Sequence, residues 1–174
     1  MSFIQTFTGK AVNPLDIELT SIDLIDIAHA LSNICRFTGH VRSFYSVAQH
    51  SVLVSQHTED EMWGLLHDAS EAYLCDVARP VKHQLPQYKA IEHSLMSRIA
   101  RRYHLTEHMP ADVKDVDNRM LVTERRDLLQ PSTLRWTEDL EALAPYDFTI
   151  VPMPPTQART LFLDRAQELG VCIQ

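Results

Sequence analysis

One short apolar stretch of this chain carries an imidazole and two carboxylates, and it constrains the fold more than any other segment. The spacing of its apolar residues predicts a helix from Glu61 to Tyr73. The inner face of that helix consists of Met62, Leu65, Leu66 and Ala69. Burying His67, Asp68 and Glu71 in it is costly unless each group is compensated. A divalent metal bound by His67 and Asp68, with Glu71 reaching a water on that metal, would compensate all three. Hydrogen bonds to backbone or water would serve a single His-Asp pair equally well.

The composition indicates one globular domain, which we place at residues 1–174. A chain of 174 residues with 45% hydrophobic residues is long and apolar enough for a sizeable core. Four glycines against nine prolines argue against a turn-rich β-sandwich and against a glycine-rich phosphate loop. The net charge of −7 argues against a nucleic-acid partner, although a small phosphate-bearing molecule is compatible with it. Because there is no run of about 18 apolar residues and no signal-peptide pattern, we expect a cytoplasmic protein without a membrane partner.

Helical spacing recurs along most of the chain. Besides the helix at 61–73, for which Thr58 is the predicted N-cap, the predicted helices cover residues 21–35, 46–57, 87–103, 109–128 and 156–169. Aromatic and β-branched residues at 1–13, with a turn at Gly9-Lys10, predict a short hairpin, and residues 147–151 predict a strand. We therefore expect an all-α fold, a single helical bundle, with this small β-hairpin or strand pair as its only β structure.

Four potential metal ligands lie on three different predicted helices. His50 is on the apolar side of its helix, so it points towards the core. His67 and Asp68 are on the next helix, and Asp117 lies beside the buried stripe of the helix at 109–128. Two imidazoles and two carboxylates suit one divalent metal ion (Mn, Co, Fe, Zn or Mg), with positions left for water. The three cysteines form no zinc-binding pattern.

The order of these residues resembles the HD-domain superfamily of metal-dependent phosphohydrolases. The resemblance covers roughly residues 21–129, which would be the catalytic core. It is closest to the bacterial 5′-deoxynucleotidases and to a related phage branch of deoxynucleoside-triphosphate hydrolases. The segments that carry it are Arg36-Phe37, His67-Asp68-Ala69-Ser70-Glu71, Asp76, Pro80-Val81-Lys82 and Tyr88-Lys89-Ala90-Ile91-Glu92. Two features differ: Phe37 stands where those enzymes have tryptophan, and only sixteen residues separate His50 from His67, a shorter connection.

The resemblance implies an activity and a role for each matched residue. It implies hydrolysis of a deoxynucleotide by a metal-activated water, which releases phosphate from a monophosphate or triphosphate from a dNTP. Glu71 would orient that water or protonate the leaving oxygen. Arg36 and Lys82 would bind the phosphate oxygens. Asp76 would accept the sugar 3′-hydroxyl, and Phe37 would stack on the substrate. We also expect the protein to form a homo-oligomer.

Other roles stay open for these residues. Arg36 also suits the C-terminal end of the helix at 21–35, where a cation interacts with the helix dipole. Lys82 and Asp76 would equally form a loop ion pair, Phe37 would equally belong to the core, and Glu71 would serve as a plain surface acid. The alternative function is a non-catalytic HD module that senses a nucleotide and regulates a partner. Such a module is expected to lose a ligand or the acid, and this chain keeps them all.

Overall fold

The computed structural model describes residues 3–172, so residues 1 and 2 of the predicted hairpin and residues 173 and 174 of the predicted domain lie outside it. The chain is mostly helical, as predicted. Its α-helices are α1 (Leu24–Asn33), α2 (Val47–Ser55), α3 (Glu61–Leu66), α4 (Glu71–Leu74), α5 (Arg79–Lys82), α6 (Pro86–Arg102), α7 (Ala111–Leu128), α8 (Glu138–Glu141) and α9 (Pro155–Glu168). Two 3₁₀-helices lie at Leu19–Ser21 and Phe37–Gly39. Within residues 3–172, no helix combines the length and the apolarity that crossing a bilayer requires.

The N-terminal segment forms the predicted hairpin. Strand β1 (Ile4–Gln5) pairs antiparallel with β2 (Ala11–Val12), and Gly9 in the turn has a φ of +85°, which glycine adopts without strain. The amide and the hydroxyl of Thr8 donate to the buried carboxylate of Asp26 on α1, at 2.7 and 2.9 Å. These two bonds attach the hairpin to the helical core.

Helix α2 lies at the centre of the fold. Helices α1, α3, α7 and α9 pack against it, and nearly all of its residues are buried. Because the helix is buried on every side, its polar side chains must find partners inside the protein. Gln49, for example, donates from Nε2 to the carbonyl of Val151 at 2.8 Å and accepts from the amide of Met153 at 3.0 Å. His50 is fully buried on the same helix, as its position on the apolar side predicts.

The prediction of one continuous helix over 61–73 is wrong. Helix α3 ends at Leu66, α4 begins at Glu71, and residues 67–70 form a turn between them. Amides in this turn donate three residues back instead of four, as from Ala69 to the carbonyl of Leu66 at 2.9 Å. The imidazole and the first carboxylate of the stretch therefore lie in a tight turn.

The predicted N-cap of this region is also wrong. The carboxylate of Asp60 caps α3 by accepting from the amide of Trp63 at 3.1 Å. The hydroxyl of Thr58 donates to Asp112 at the start of α7 instead. Thr58 therefore links the loop before α3 to α7.

No strand forms at 147–151 within the described residues, contrary to the prediction. Side chains take the backbone bonds that a neighbouring strand would have made. The amide of Ile150 donates to Oδ2 of Asp127 at 2.8 Å, and the carbonyl of Val151 accepts from Gln49. The segment is therefore held in place by α7 and α2.

Helices α2 and α3 approach each other closely at Gly64. A Cβ atom there would lie 2.8 Å from Cα of Ser55 and 2.5 Å from Cγ2 of Thr58. Such contacts are far shorter than van der Waals distances, so only glycine permits this approach. The end of α3 is thereby brought next to α2.

Candidate metal centre

Three helices bring predicted metal ligands together. His50 projects from α2, His67 follows the last residue of α3, and Asp117 projects from α7. Nε2 of His50 lies 3.2 Å from Nε2 of His67 and 3.3 Å from Oδ1 of Asp117. One ligand atom from each of the three residues lies within 4.8 Å of the other two. A possible metal-binding triad therefore exists where α2, α3 and α7 meet.

Asp68, the fourth predicted ligand, borders this triad. Its Oδ2 lies 3.2 Å from Nε2 of His67 and 3.7 Å from Nε2 of His50. Burial alone would raise the pKa of Asp68, but the two neighbouring imidazoles hold that pKa below its ordinary value. The carboxylate is therefore charged beside the triad.

The hydrogen bonds of both imidazoles fix which ring nitrogen faces the site. Nδ1 of His50 lies 2.7 Å from Oε1 of Glu124, and Nδ1 of His67 lies 2.7 Å from the carbonyl oxygen of Gly64. The carbonyl only accepts, and so does the charged carboxylate, so each Nδ1 carries a hydrogen and donates it. In a neutral ring the Nε2 lone pair is then free, and in both rings it points towards the other ligands.

This donor set fits a divalent metal. With both rings neutral, two nitrogen lone pairs and the oxygens of Asp68 and Asp117 face one another at 3.2 to 3.7 Å. Such a cluster is repulsive unless a cation lies within it. In the metal-free protein a proton takes that place. Burial and Arg36 would lower the pKa of His50, but Glu124 and Asp117 outweigh them and raise it to about 9. Mixed imidazole and carboxylate ligands are typical of catalytic divalent ions.

Asp117 is held from its outer side by two cations. Its Oδ2 lies 2.7 Å from Nζ of Lys114 and 4.0 Å from a guanidinium nitrogen of Arg79. Burial would raise the pKa of Asp117, yet the hydrogen bond from His50 and the nearby positive charges hold it well below its ordinary value. Oδ1 is left to face His50.

Glu124 is a site residue that the sequence reasoning missed. It is fully buried on α7, where Oε1 accepts from His50 and Oε2 lies 3.0 Å from a guanidinium nitrogen of Arg36. Burial would raise the pKa of Glu124, but Arg36 and His50 hold it below its ordinary value. A signal was available, because Glu124 follows Asp117 by seven residues, about two helical turns, on the face that carries Met120. An acid on that apolar stripe needs a buried partner.

Arg36 lies beside the metal ligands. One guanidinium nitrogen bonds Glu124, and the other lies 3.5 Å from Oδ2 of Asp68. Burial would lower the pKa of Arg36, but the carboxylates of Glu124, Asp68 and Asp117 raise it, so the side chain stays charged. These contacts favour a role in the site over the alternative of a cation at the end of α1.

Glu71 is buried, so the alternative of a plain surface acid does not hold. Its Oε2 has no hydrogen-bond partner among residues 3–172. Burial, together with the carboxylates of Asp68 and Asp76, raises the pKa of Glu71 well above that of an ordinary glutamate. A carboxyl group that holds its proton in this way is suited to donate it.

The remaining predicted residues lie around these groups. Lys82 bonds Oε1 of Glu92 at 2.7 Å, so its ion-pair partner is not Asp76. Asp76 is half-buried, which raises its pKa against the opposing charge of Arg36. The half-buried ring of Phe37 has its centroid 5.6 Å from the guanidinium carbon of Arg36 and belongs to neither apolar core cluster.

A cavity of about 310 Å³ opens beside the ligands. Its lining includes His67, Asp68, Lys82, several residues of α6 and residues 107–109. Its volume is at the lower end of the range for small-molecule sites. The cavity is therefore large enough for a small ligand that reaches Asp68.

Comparison with known proteins identifies one relative that matches nearly the whole chain and another that matches part of it. No family model matches the sequence. The uncharacterized protein YfdR of Escherichia coli K12 is 43% identical over 173 residues, which cover 98% of this chain and 97% of that protein. An uncharacterized protein of Rhodobacter capsulatus is 33% identical over 122 residues, 63% of this chain and 62% of the relative.

Proposed function

The chain belongs to the same family as the Escherichia coli protein YfdR, and we propose that it is a divalent-metal-dependent phosphohydrolase of deoxynucleotides with an HD-type fold. The observation that carries this proposal is the meeting of His50, His67 and Asp117 close to the charged guanidinium of Arg36. A metal ion bound by the three residues and the guanidinium of Arg36 would both stabilise the hydrolysis of a phosphate ester, because the phosphoryl oxygens carry negative charge throughout the reaction.

Four side chains would hold the metal: His50, His67, Asp68 and Asp117. A divalent ion bound there lowers the pKa of water and neutralises charge on phosphate oxygens. Two of the ligands are already oriented for this purpose, since the Nδ1 hydrogen bonds direct both Nε2 lone pairs into the cluster.

Glu71 is the group to which we assign proton transfer. In the metal-free protein, burial and the carboxylates of Asp68 and Asp76 raise the pKa of Glu71 well above that of an ordinary glutamate, which favours the protonated carboxyl that this role needs. As the bond between phosphorus and the ester oxygen breaks, Glu71 gives its proton to that oxygen. The attacking water forms the new phosphorus–oxygen bond and returns a proton to Glu71, which restores the starting state.

Four further residues would bind the substrate. Arg36 offers a planar, permanently charged guanidinium, and the N–H groups that are not bonded to Glu124 would bind phosphate oxygens. Lys82 would add a point charge after exchanging Glu92 for phosphate. In line with the resemblance to 5′-deoxynucleotidases, Asp76 would accept the sugar 3′-hydroxyl and Phe37 would stack on the nucleotide.

The test measures products directly. Purified protein is incubated with each dNMP and each dNTP in Mn²⁺, Co²⁺ or Mg²⁺, and phosphate and triphosphate are quantified separately. We expect metal-dependent release of one product, which EDTA stops and which Asp68→Ala abolishes. Thr123→Val is the matched control, because it changes a buried residue of α7 whose hydroxyl, within residues 3–172, bonds only Arg119 and Tyr146. Saturable nucleotide binding without release of either product would support the sensing module instead.

A further inference from the structure

One buried carboxylate contacts both functional parts of the site. Glu124 accepts from Nδ1 of His50 at 2.7 Å through Oε1 and from Arg36 at 3.0 Å through Oε2. Arg36 in turn lies 3.5 Å from Asp68, which is 3.2 Å from His67. A chain of contacts therefore runs from His50 to His67. The residues between them are Glu124, Arg36 and Asp68.

The chemistry of these contacts requires a carboxylate at position 124. Both partners are donors that approach from different directions, and each needs its own acceptor oxygen. A glutamine of the same volume has one acceptor oxygen, and its NH₂ group would face a second donor. Removing the charge would also leave the buried guanidinium of Arg36 without its nearest carboxylate.

The two bonds have different consequences. The bond to His50 keeps the hydrogen on Nδ1, so that Nε2 is a lone pair directed at the ligand cluster. Carboxylates that bond a metal-binding histidine in this way orient the ring and increase its basicity. The bond to Arg36 fixes the guanidinium plane, and the second NH₂ group is then directed at Asp68.

We propose that Glu124 is a positioning residue that couples the metal-binding histidine His50 to the phosphate-binding arginine Arg36. The inference rests on the proposed function, which assigns those roles to the two partners. Loss of the Glu124 carboxylate should therefore weaken metal binding and phosphate binding together, although Glu124 itself would contact neither the metal nor the phosphate.

The experiment uses Co²⁺ and inorganic phosphate as probes. Co²⁺ affinity is measured by absorption titration of the metal-free protein, and phosphate affinity by calorimetry on the Co²⁺-loaded protein. We expect Glu124→Gln to weaken Co²⁺ binding by about 10- to 100-fold. Phosphate binding should weaken on the order of tenfold. Thr123→Val changes a buried neighbour whose hydroxyl bonds Arg119 and Tyr146, so it should leave both affinities close to those of the wild type even if its melting temperature falls.

A spectroscopic measurement on the wild-type protein tests the same inference without requiring any variant to fold. In the Zn²⁺-loaded wild-type protein, nitrogen NMR should show His50 protonated at Nδ1, with a slowly exchanging, downfield-shifted proton. An exposed histidine such as His40 should show no slowly exchanging ring proton, because its ring protons exchange with solvent. Finding Nδ1 of His50 without a proton while zinc is bound would overturn the positioning role.

The results separate the inference from the proposed function. If Glu124→Gln matches Thr123→Val in both affinities, or if only one affinity falls, the coupling is wrong whatever the activity. If both affinities fall as expected but the wild-type protein hydrolyses no deoxynucleotide, the proposed function fails and the coupling stands.

Discussion

Replacing Gly64 by alanine tests the packing that brings the two histidines together. Two effects of opposite sign compete. Alanine is a better helix former than glycine by about 1 kcal/mol, which would stabilise α3. The new Cβ, however, would lie 2.8 Å from Cα and 3.0 Å from the nitrogen of Ser55, which belong to the backbone of α2. A backbone atom cannot rotate away as a side chain does, so the helices themselves must move.

The size of that movement decides the outcome. Restoring the 2.8 Å contact to the 3.4 Å at which ordinary van der Waals contact begins requires α2 and α3 to separate by about 0.6 Å. Overpacking of this kind costs about 1 to 3 kcal/mol, which exceeds the gain in helix propensity at all but the lower limit. The difference is about 0 to 2 kcal/mol, so we expect Gly64→Ala to lower the free energy of unfolding by about 1 kcal/mol.

The same movement should reach the candidate metal centre. Helix α2 carries His50, and the carbonyl of Gly64 accepts the Nδ1 hydrogen of His67. Metal–ligand distances tolerate only about 0.2 Å of deviation, so a shift of about 0.6 Å between the two imidazoles exceeds that tolerance. We expect Co²⁺ affinity to fall on the order of tenfold or more.

The assay combines urea unfolding of the metal-free protein with Co²⁺ titration. Adding Thr58→Ser to Gly64→Ala separates the contact with the Thr58 side chain from the contacts with the backbone of Ser55. Serine keeps the hydroxyl that bonds Asp112 and removes the Cγ2 atom that lies 2.5 Å from the new Cβ. Because the contacts with the backbone of Ser55 persist, we expect little rescue. Full rescue by Thr58→Ser, or wild-type stability and Co²⁺ affinity in Gly64→Ala alone, would refute this reasoning.

Three further predictions follow from the site and from one surface contact. Glu71→Gln should lower the turnover number by about 10²- to 10⁴-fold while Co²⁺ binding stays near wild type, and loss of stoichiometric Co²⁺ would make Glu71 a ligand instead. Saturating the wild-type protein with Co²⁺ at about 100 times its dissociation constant should stabilise it by about 2.7 kcal/mol in thermal unfolding, and an equal stabilisation of Asp68→Ala would contradict its role as a ligand. Asp127→Asn should cost on the order of 1 kcal/mol near neutral pH. The bond from Arg126 outweighs partial burial, and together with the amide of Ile150 it lowers the pKa of Asp127. The stability that Asp127 contributes is therefore fully present above its unfolded pKa of about 4. That stability is lost as the pH falls through the lower pKa that Asp127 has in the folded protein. Urea unfolding at pH 7 and pH 3 should show the difference shrinking at low pH, and a constant difference would count against it.

Helical periodicity in the sequence was enough to identify the main helices, because each one carries an apolar stripe that must be buried. It also located His50, since an imidazole among the valines of α2 has no route to solvent. The hairpin followed from local turn chemistry at Gly9. These features depend on residues that are near one another in sequence.

Other features depend on neighbours that are distant in sequence, and periodicity carries no information about them. The helix predicted over 61–73 breaks after Leu66, and the segment at 147–151 bonds to Gln49 and Asp127 instead of pairing as a strand.

The candidate metal centre divides in the same way. Its ligand types could be read from the sequence, whereas the 3.2 Å between the two imidazole nitrogens follows from the close approach of α2 and α3 at Gly64. Glu124 could be assigned to the site only from the packing of α7 beside α2, because the donors that surround a buried acid show what it does. The sequence determined which groups had to be compensated, and the tertiary structure decided which partners compensate them.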